Sequence, residues 1–291
     1  MRYRAALFCF LLFPLATVYP VDWPVKDRVL TATFGESRND HFHNGIDLGG
    51  GEQSVFPVQE GEIIFYQEED ENEFDLPAGL GSFALIESRG GILSLYGHLK
   101  KGSLEKTKTE VGRTDILAVT GDTGYSFGKH LHLAIYDREL MQTVNPLLGL
   151  PSLADTKKPV IKDIFLAQGD ELVKLQNLMS VKSGLYSLVM EVYDLSEYVT
   201  YFCPMAPYSI VVFAQGEEVM SVVFDALAVR DSGTVLVNKG TEFSLEGLYL
   251  SGWQVQTAPM NLKTGRIQLE IMVRDIAGNE AIRQYDVLAA D

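Results

Sequence analysis

The sequence predicts an all-β, mainly antiparallel protein in two consecutive domains. Apolar and β-branched runs of strand length recur along the chain and glycine turns separate them. No window of helical periodicity competes in the first half. At 291 residues, with 46% hydrophobic and 22% charged side chains, the chain has room for two cores and lacks the composition of a disordered one.

The elements follow in order. Arg2 and Arg4 precede an almost wholly apolar run from Ala5 to Ala16, too short to span a bilayer as a helix. Residues 1–18 therefore read as a secretory signal peptide, with Ala16-Thr17-Val18 a fair small-x-small cleavage site. An uncleaved membrane anchor is the competing reading. On the preferred one the chain is secreted or periplasmic and keeps no stable membrane span after cleavage. Cys9 lies inside this segment without the small residue expected before a lipidated cysteine, so only Cys203 remains, and it reads as a buried structural thiol beside Tyr201, Phe202 and Pro204.

Residues 19–150 form the first domain. Ser54–Val58, Glu62–Tyr66, Phe83–Glu87 and Ile92–Tyr96 read as its strands, and Gly49-Gly50-Gly51, Gly61, Gly79, Gly81 and Gly90-Gly91 as its turns. Six of the eight residues from Glu68 to Asp75 are acidic. Lacking the glycine and the ligand spacing of a calcium loop, this stretch reads as a solvated, mobile connection. Residues 151–158 are linker. Residues 159–291 return to strand patterning at 160–167, 185–193, 209–214, 218–224, 266–274 and 281–287, with Asp275–Asn279 as a hairpin turn. Leu188, Met190 and Val192 facing one way give the alternation of an immunoglobulin-like β-sandwich. The formal net charge of −15 argues against nucleic acid and against docking on anionic lipid.

Four of the five histidines fall into three short patterns: His43-Asn44-Gly45-Ile46-Asp47, Tyr96-Gly97-His98-Leu99 and His130-Leu131-His132. Imidazole and carboxylate are the side chains that hold Zn²⁺ while leaving a position free for water. A strand through His130-Leu131-His132 sets two imidazoles on one face, about 6–7 Å apart at the backbone. Gly45, between His43 and Asp47, permits a bend that turns both toward one point. No histidine follows His132, so imidazole chemistry belongs to the first domain. His41 lies outside these patterns and reads as non-essential, at most lining a cleft. Tyr96 reads as core packing, with an inward hydroxyl assisting an oxyanion as the alternative. For Arg38 and Asn44, shaping the cleft stands level with a surface ion pair and a turn contact.

These residues carry a resemblance. Phe34-Gly35-Glu36-Ser37-Arg38 followed by His43-x-Gly45-x-Asp47, then Leu95-Tyr96-Gly97-His98-Leu99, then Gly121-x-Thr123-Gly124-x-Ser126-x-Gly128-x-His130-Leu131-His132 resemble the M23 peptidases, the lysostaphin/LytM-type zinc endopeptidases. The likeness spans roughly residues 29 to 147. It implies a LytM-like β-sheet domain in which His43, Asp47 and His132 hold one Zn²⁺. His98 and His130 would then stand as catalytic residues around the metal's water and the scissile amide. His130 is the better general base, and His98 would stabilise the oxyanion or protonate the leaving nitrogen. Leu133 and Ala134 depart from the aromatic and acidic residues often found after the His-x-His pair, which puts a partner orienting a ligand histidine in doubt.

The leading expectation is thus a secreted or periplasmic zinc metallo-endopeptidase that hydrolyses the peptide cross-links of bacterial peptidoglycan. A reading from another class is a non-catalytic LytM-type regulator that activates another cell-wall hydrolase; relatives of that kind typically lack one or more ligands, and this chain keeps all of them. A third is that the C-terminal domain anchors the protein to the wall or to an envelope protein partner.

Overall fold

The computed structural model describes residues 21–71, 79–238 and 240–291. The signal peptide over residues 1–18 and the acidic stretch beyond Glu71 lie outside the described residues. What is described is all-β and mainly antiparallel, as expected, with one four-residue α-helix at Leu245–Leu248.

The first half builds a sheet from β1 (Val29–Ala32), β2 (Ile46–Gly49), β3 (Gly61–Gln67), β4 (Ser82–Ser88), β5 (Ile92–Leu99), β6 (Leu131–Asp137) and β7 (Gln142–Val144). β3 to β6 run as an antiparallel meander, and β6 takes β5 on one side and β2 and β7 on the other. Alternation works as the sequence implies: along β4, Ser82, Ala84, Ile86 and Ser88 are buried and the residues between them less so. Ile46, Leu48, Ile86, Tyr96, Leu131 and Leu133 make the core of this half.

The second half is a β-sandwich. β8 (Val160–Gln168) and β9 (Gly184–Leu195) pair in one sheet. β10 (Ser209–Ala214) and β11 (Glu217–Val223) belong to the other, beside the final hairpin. Three short strands leave this sandwich altogether. β12 (Ala226–Arg230), β13 (Gly233–Asn238) and β14 (Thr241–Phe243) form a meander whose β12 pairs with β7, Thr143 opposite Leu227. They extend the first sheet at its β7 edge, so one 11-stranded sheet runs through both halves. The sandwich ends with β15 (Gly265–Arg274) and β16 (Glu280–Ala290), which enclose the expected hairpin turn.

The cores interlock as well. Phe34 and Phe42, from the segment between β1 and β2, are 1% and 2% exposed and pack into the sandwich core with Phe224, Leu245 and Tyr249. Met205 crosses the other way into the core of the first half. A buried phenylalanine reduced to alanine typically costs about 3–5 kcal/mol, so this exchange ties the halves together strongly.

Candidate metal centre

The ligand side chains come from three neighbouring places. Asp47 on β2 sits opposite His132 on β6, and Gly97 on β5 sits opposite His132 from the other side. His43 arrives from the β1–β2 segment, which returns on itself through Gly35 N–H donating to His43 O and His43 N–H donating to Glu36 O, both at 2.8 Å. Gly45 is needed here for close approach and not for a left-handed bend: a Cβ would lie 2.4 Å from the Leu133 carbonyl oxygen and 2.8 Å from the His132 ring.

His43 Nε2, Asp47 Oδ1 and His132 Nδ1 converge with separations of 3.1, 3.0 and 3.2 Å. A cation about 2.0–2.2 Å from each atom caps such a triangle. The protonation pattern fits. His43 Nδ1 donates to the Thr33 carbonyl at 2.8 Å, so its Nε2 presents a lone pair to the centre. Burial raises the Asp47 carboxyl, but the facing His43 and His132 outweigh it and hold Asp47 well below its ordinary value. Burial likewise lowers His132. One carboxylate oxygen and two imidazole nitrogens thus face one another, the donor set of a catalytic zinc site.

The remaining two histidines flank it. The His98 ring lies 4.7 Å from His130 and 6.0 Å from His132, centroid to centroid. His98 adopts a left-handed backbone, φ 57°, at the end of β5; a non-glycine residue held there carries a strain of about 1–3 kcal/mol. Its Nδ1 donates to Thr123 O at 2.9 Å, and that threonine is anchored by Oγ1 donating to Leu99 O. Burial, with the neighbouring His130 and His132, pushes His98 down to about 4. His130 precedes β6 and bridges Gly121; its Nδ1 donates to Gly128 O at 2.8 Å, and its Nε2 points inward, 3.8 Å from Asp47 Oδ1. Both rings therefore turn an Nε2 lone pair toward the centre. The glycine-rich stretch 121–128 supplies the two carbonyls that fix them.

Other residues take different places. Tyr96 is fully buried; its hydroxyl accepts from Val58 N–H and lies 3.1 Å from Ser94 Oγ, so packing is its role. His41 is exposed and paired with Asp40 at the rim of the groove. Cys203 is half-buried, its thiol donating to Thr31 O at 3.2 Å, and burial raises its pKa. The described acidic residues are not a loose loop: Glu68 is buried and accepts from Ser82 Oγ and Gly102 N–H, Glu69 accepts from Gly124 N–H, and Asp70 and Glu71 pair with Lys101 and Lys106.

Sequence reasoning left Arg38 between shaping the cleft and a surface ion pair; the ion pair is present, made to a candidate ligand. Arg38 Nη2 donates to Asp47 Oδ2 at 3.0 Å and stands 3.5 Å from the buried Glu36, whose carboxyl burial pushes up to about 7 against the pull of Arg38. The groove over the centre, about 1340 Å³, is lined from the second half of the chain too, by Tyr201, Cys203, Pro204 and Trp253. No local pattern marks these four. A second carboxylate group, Asp155, Asp194 and Asp275, brings oxygens within 4.8 Å of one another at the linker end of the sandwich, away from every histidine.

Residues 41–146 match the model of peptidase family M23, and residues 158–289 match a second family model. A zinc-containing peptidase from Vibrio cholerae is 27% identical, with 44% of this chain and 38% of that one covered and a TM-score of 0.35. This chain thus spans well under half the length of that protein. The catalytic domain of the antimicrobial peptidase lysostaphin from Staphylococcus simulans is 22% identical over 37% of this chain and 78% of that one, TM-score 0.32. A chain of the SpoIIQ–SpoIIIAH pore-forming complex is 21% identical over 46% and 92%, TM-score 0.37.

Proposed function

Taking residues 41–146 as an M23-type peptidase domain, we propose that this chain is a zinc-dependent endopeptidase, acting outside the cytoplasm on the peptide cross-links of bacterial peptidoglycan. The observation that carries the reading is the convergence of His43 Nε2, Asp47 Oδ1 and His132 Nδ1 within 3.0–3.2 Å beside two further inward-facing imidazoles. Zinc held there supplies the electrophile and the acidified water that amide hydrolysis requires. Cell-wall substrate and export rest on the family and on the leader-like residues 1–18.

The chain's own groups divide the proton work. His130 is the more accessible of the flanking pair and its Nε2 stands nearest the ligand carboxylate, so it accepts the proton of the attacking water. His98, neutral because of its burial, also offers a lone pair. It becomes a donor to the oxyanion or the leaving nitrogen only after taking up a proton, so its two proposed roles are sequential. Groups of this kind contribute about 10²–10⁴-fold each. The regulator reading predicts no turnover, and its relatives typically lack one or more of the ligands that this chain keeps. Digestion of purified murein by the zinc-loaded protein, followed by amine release and fragment masses, decides: no new peptide termini at full zinc occupancy would overturn the endopeptidase reading.

A further inference from the structure

We infer that the C-terminal half is a constituent of the metal centre, with Tyr249, Phe224 and Ala206 as positioning residues for the segment that presents His43. This rests on the reading of the site as a zinc centre. The segment from Thr33 to His43 leaves the first sheet and is gripped by the second half of the chain. Tyr249 Oη donates to Gly35 O at 3.0 Å. Gly35 lies at φ +83°, and the Phe224 ring occupies the place of its missing side chain, Cδ1 lying 2.3 Å from where a Cβ would be. Thr33 Oγ1 donates to Ala206 O at 2.8 Å, while Thr33 N–H and Ala206 N–H both point at the buried Glu36 Oε1, at 2.6 and 3.4 Å. Phe42, the residue before His43, lies against Tyr249, with ring centroids 6.1 Å apart.

Each grip reaches His43 in one step. Thr33 supplies the carbonyl that takes His43 Nδ1–H and so fixes which nitrogen faces the metal. Gly35 donates its N–H to the His43 carbonyl. The ring is thereby oriented through its polar edge and its backbone at once. Groups that orient a ligand histidine typically govern metal affinity by about 10–100-fold. Here the two groups, on Thr33 and Gly35, are themselves held by Ala206 and Tyr249, residues more than 160 positions further along the chain.

The test uses the full chain and reads zinc affinity by competition with a chromophoric chelator. Tyr249→Phe, which keeps the ring and removes the donor, is expected to weaken zinc binding about tenfold. Thr33→Val should do the same, and Thr33→Ser should restore the parent affinity. Ile271→Val, buried in the other sheet of the sandwich, loosens the fold without approaching the segment and should leave affinity unchanged. Equal affinity in Tyr249→Phe, Thr33→Val and Ile271→Val would overturn the inference while leaving the zinc centre standing. A parent chain that binds no zinc would overturn both. Should Tyr249→Phe fail to fold, the two Thr33 variants decide the question.

Discussion

Arg38 holds Asp47 by the oxygen that the imidazoles do not use. Its Nη2 lies 3.0 Å from Oδ2, while Oδ1 faces His43 and His132. The guanidinium, itself backed by Glu36 at 3.5 Å, therefore sets which carboxylate oxygen meets the cation. Arg38→Ala should weaken zinc binding about tenfold, and Arg38→Lys should recover only part of it because an ammonium keeps the charge and loses the planar fork. Equilibrium dialysis measures it; unchanged affinity would mean that the two imidazoles alone orient Asp47.

Ligands and proton carriers separate by what their loss removes. His132→Ala and Asp47→Ala should lose both bound zinc and activity. His130→Ala should retain the metal and lose about 10²–10⁴ in kcat. Metal content by elemental analysis beside turnover distinguishes the classes, and full zinc in His132→Ala would refute the ligand assignment.

Trp253 and Tyr201 line the groove from the second half of the chain. Trp253→Ala is expected to raise KM several-fold with kcat little changed, the signature of lost uniform binding. A fall in kcat at constant KM would place the indole in the reaction instead.

Asp194 gives a pH signature away from the site. Burial, and then the nearby Asp275 and Asp155 carboxylates, raise it to about 7, against the opposing backbone N–H of Leu195 and the charge of Lys157. The unfolded chain releases that proton from about pH 4, whereas the native protein holds it until about 7. The native state therefore loses stability as pH rises across that interval and stays lower above it. Asp194→Asn should raise the melting temperature of metal-free protein by a few degrees at about pH 8 and leave it nearly unchanged at about pH 4. An equal shift at both would show that the carboxyl ionises freely in the native state.

The five candidate residues stand out in the sequence because they sit in short local patterns, His43 with Asp47 and His130 with His132, although His130 itself falls just before β6 and not within it. Strand placement is legible for the same reason, and Ser209–Ala214 begins and ends where alternation and turn residues put it. What escapes a reading of the sequence is set by distance. Nothing in Leu227, Phe224 or Tyr249 announces that they extend the first sheet or fill the space beside Gly35. The left-handed backbone of His98 is imposed by the carbonyl and amide groups around it. Gly45 reads as necessary for a bend, whereas the requirement is the nearness of Leu133 and His132. The acidic run reads as mobile because charge density shows in a sequence, whereas the partners Lys101 and Lys106 of its described residues Asp70 and Glu71 do not.

The contacts that fix His43 join positions 173 and 214 residues apart. A chain still being made, or cut short near its linker, owns every ligand and still lacks the frame that aims one of them. On that inference the aim of His43 is completed only when residues 206 to 249 have been made and packed against the segment from Thr33 to His43.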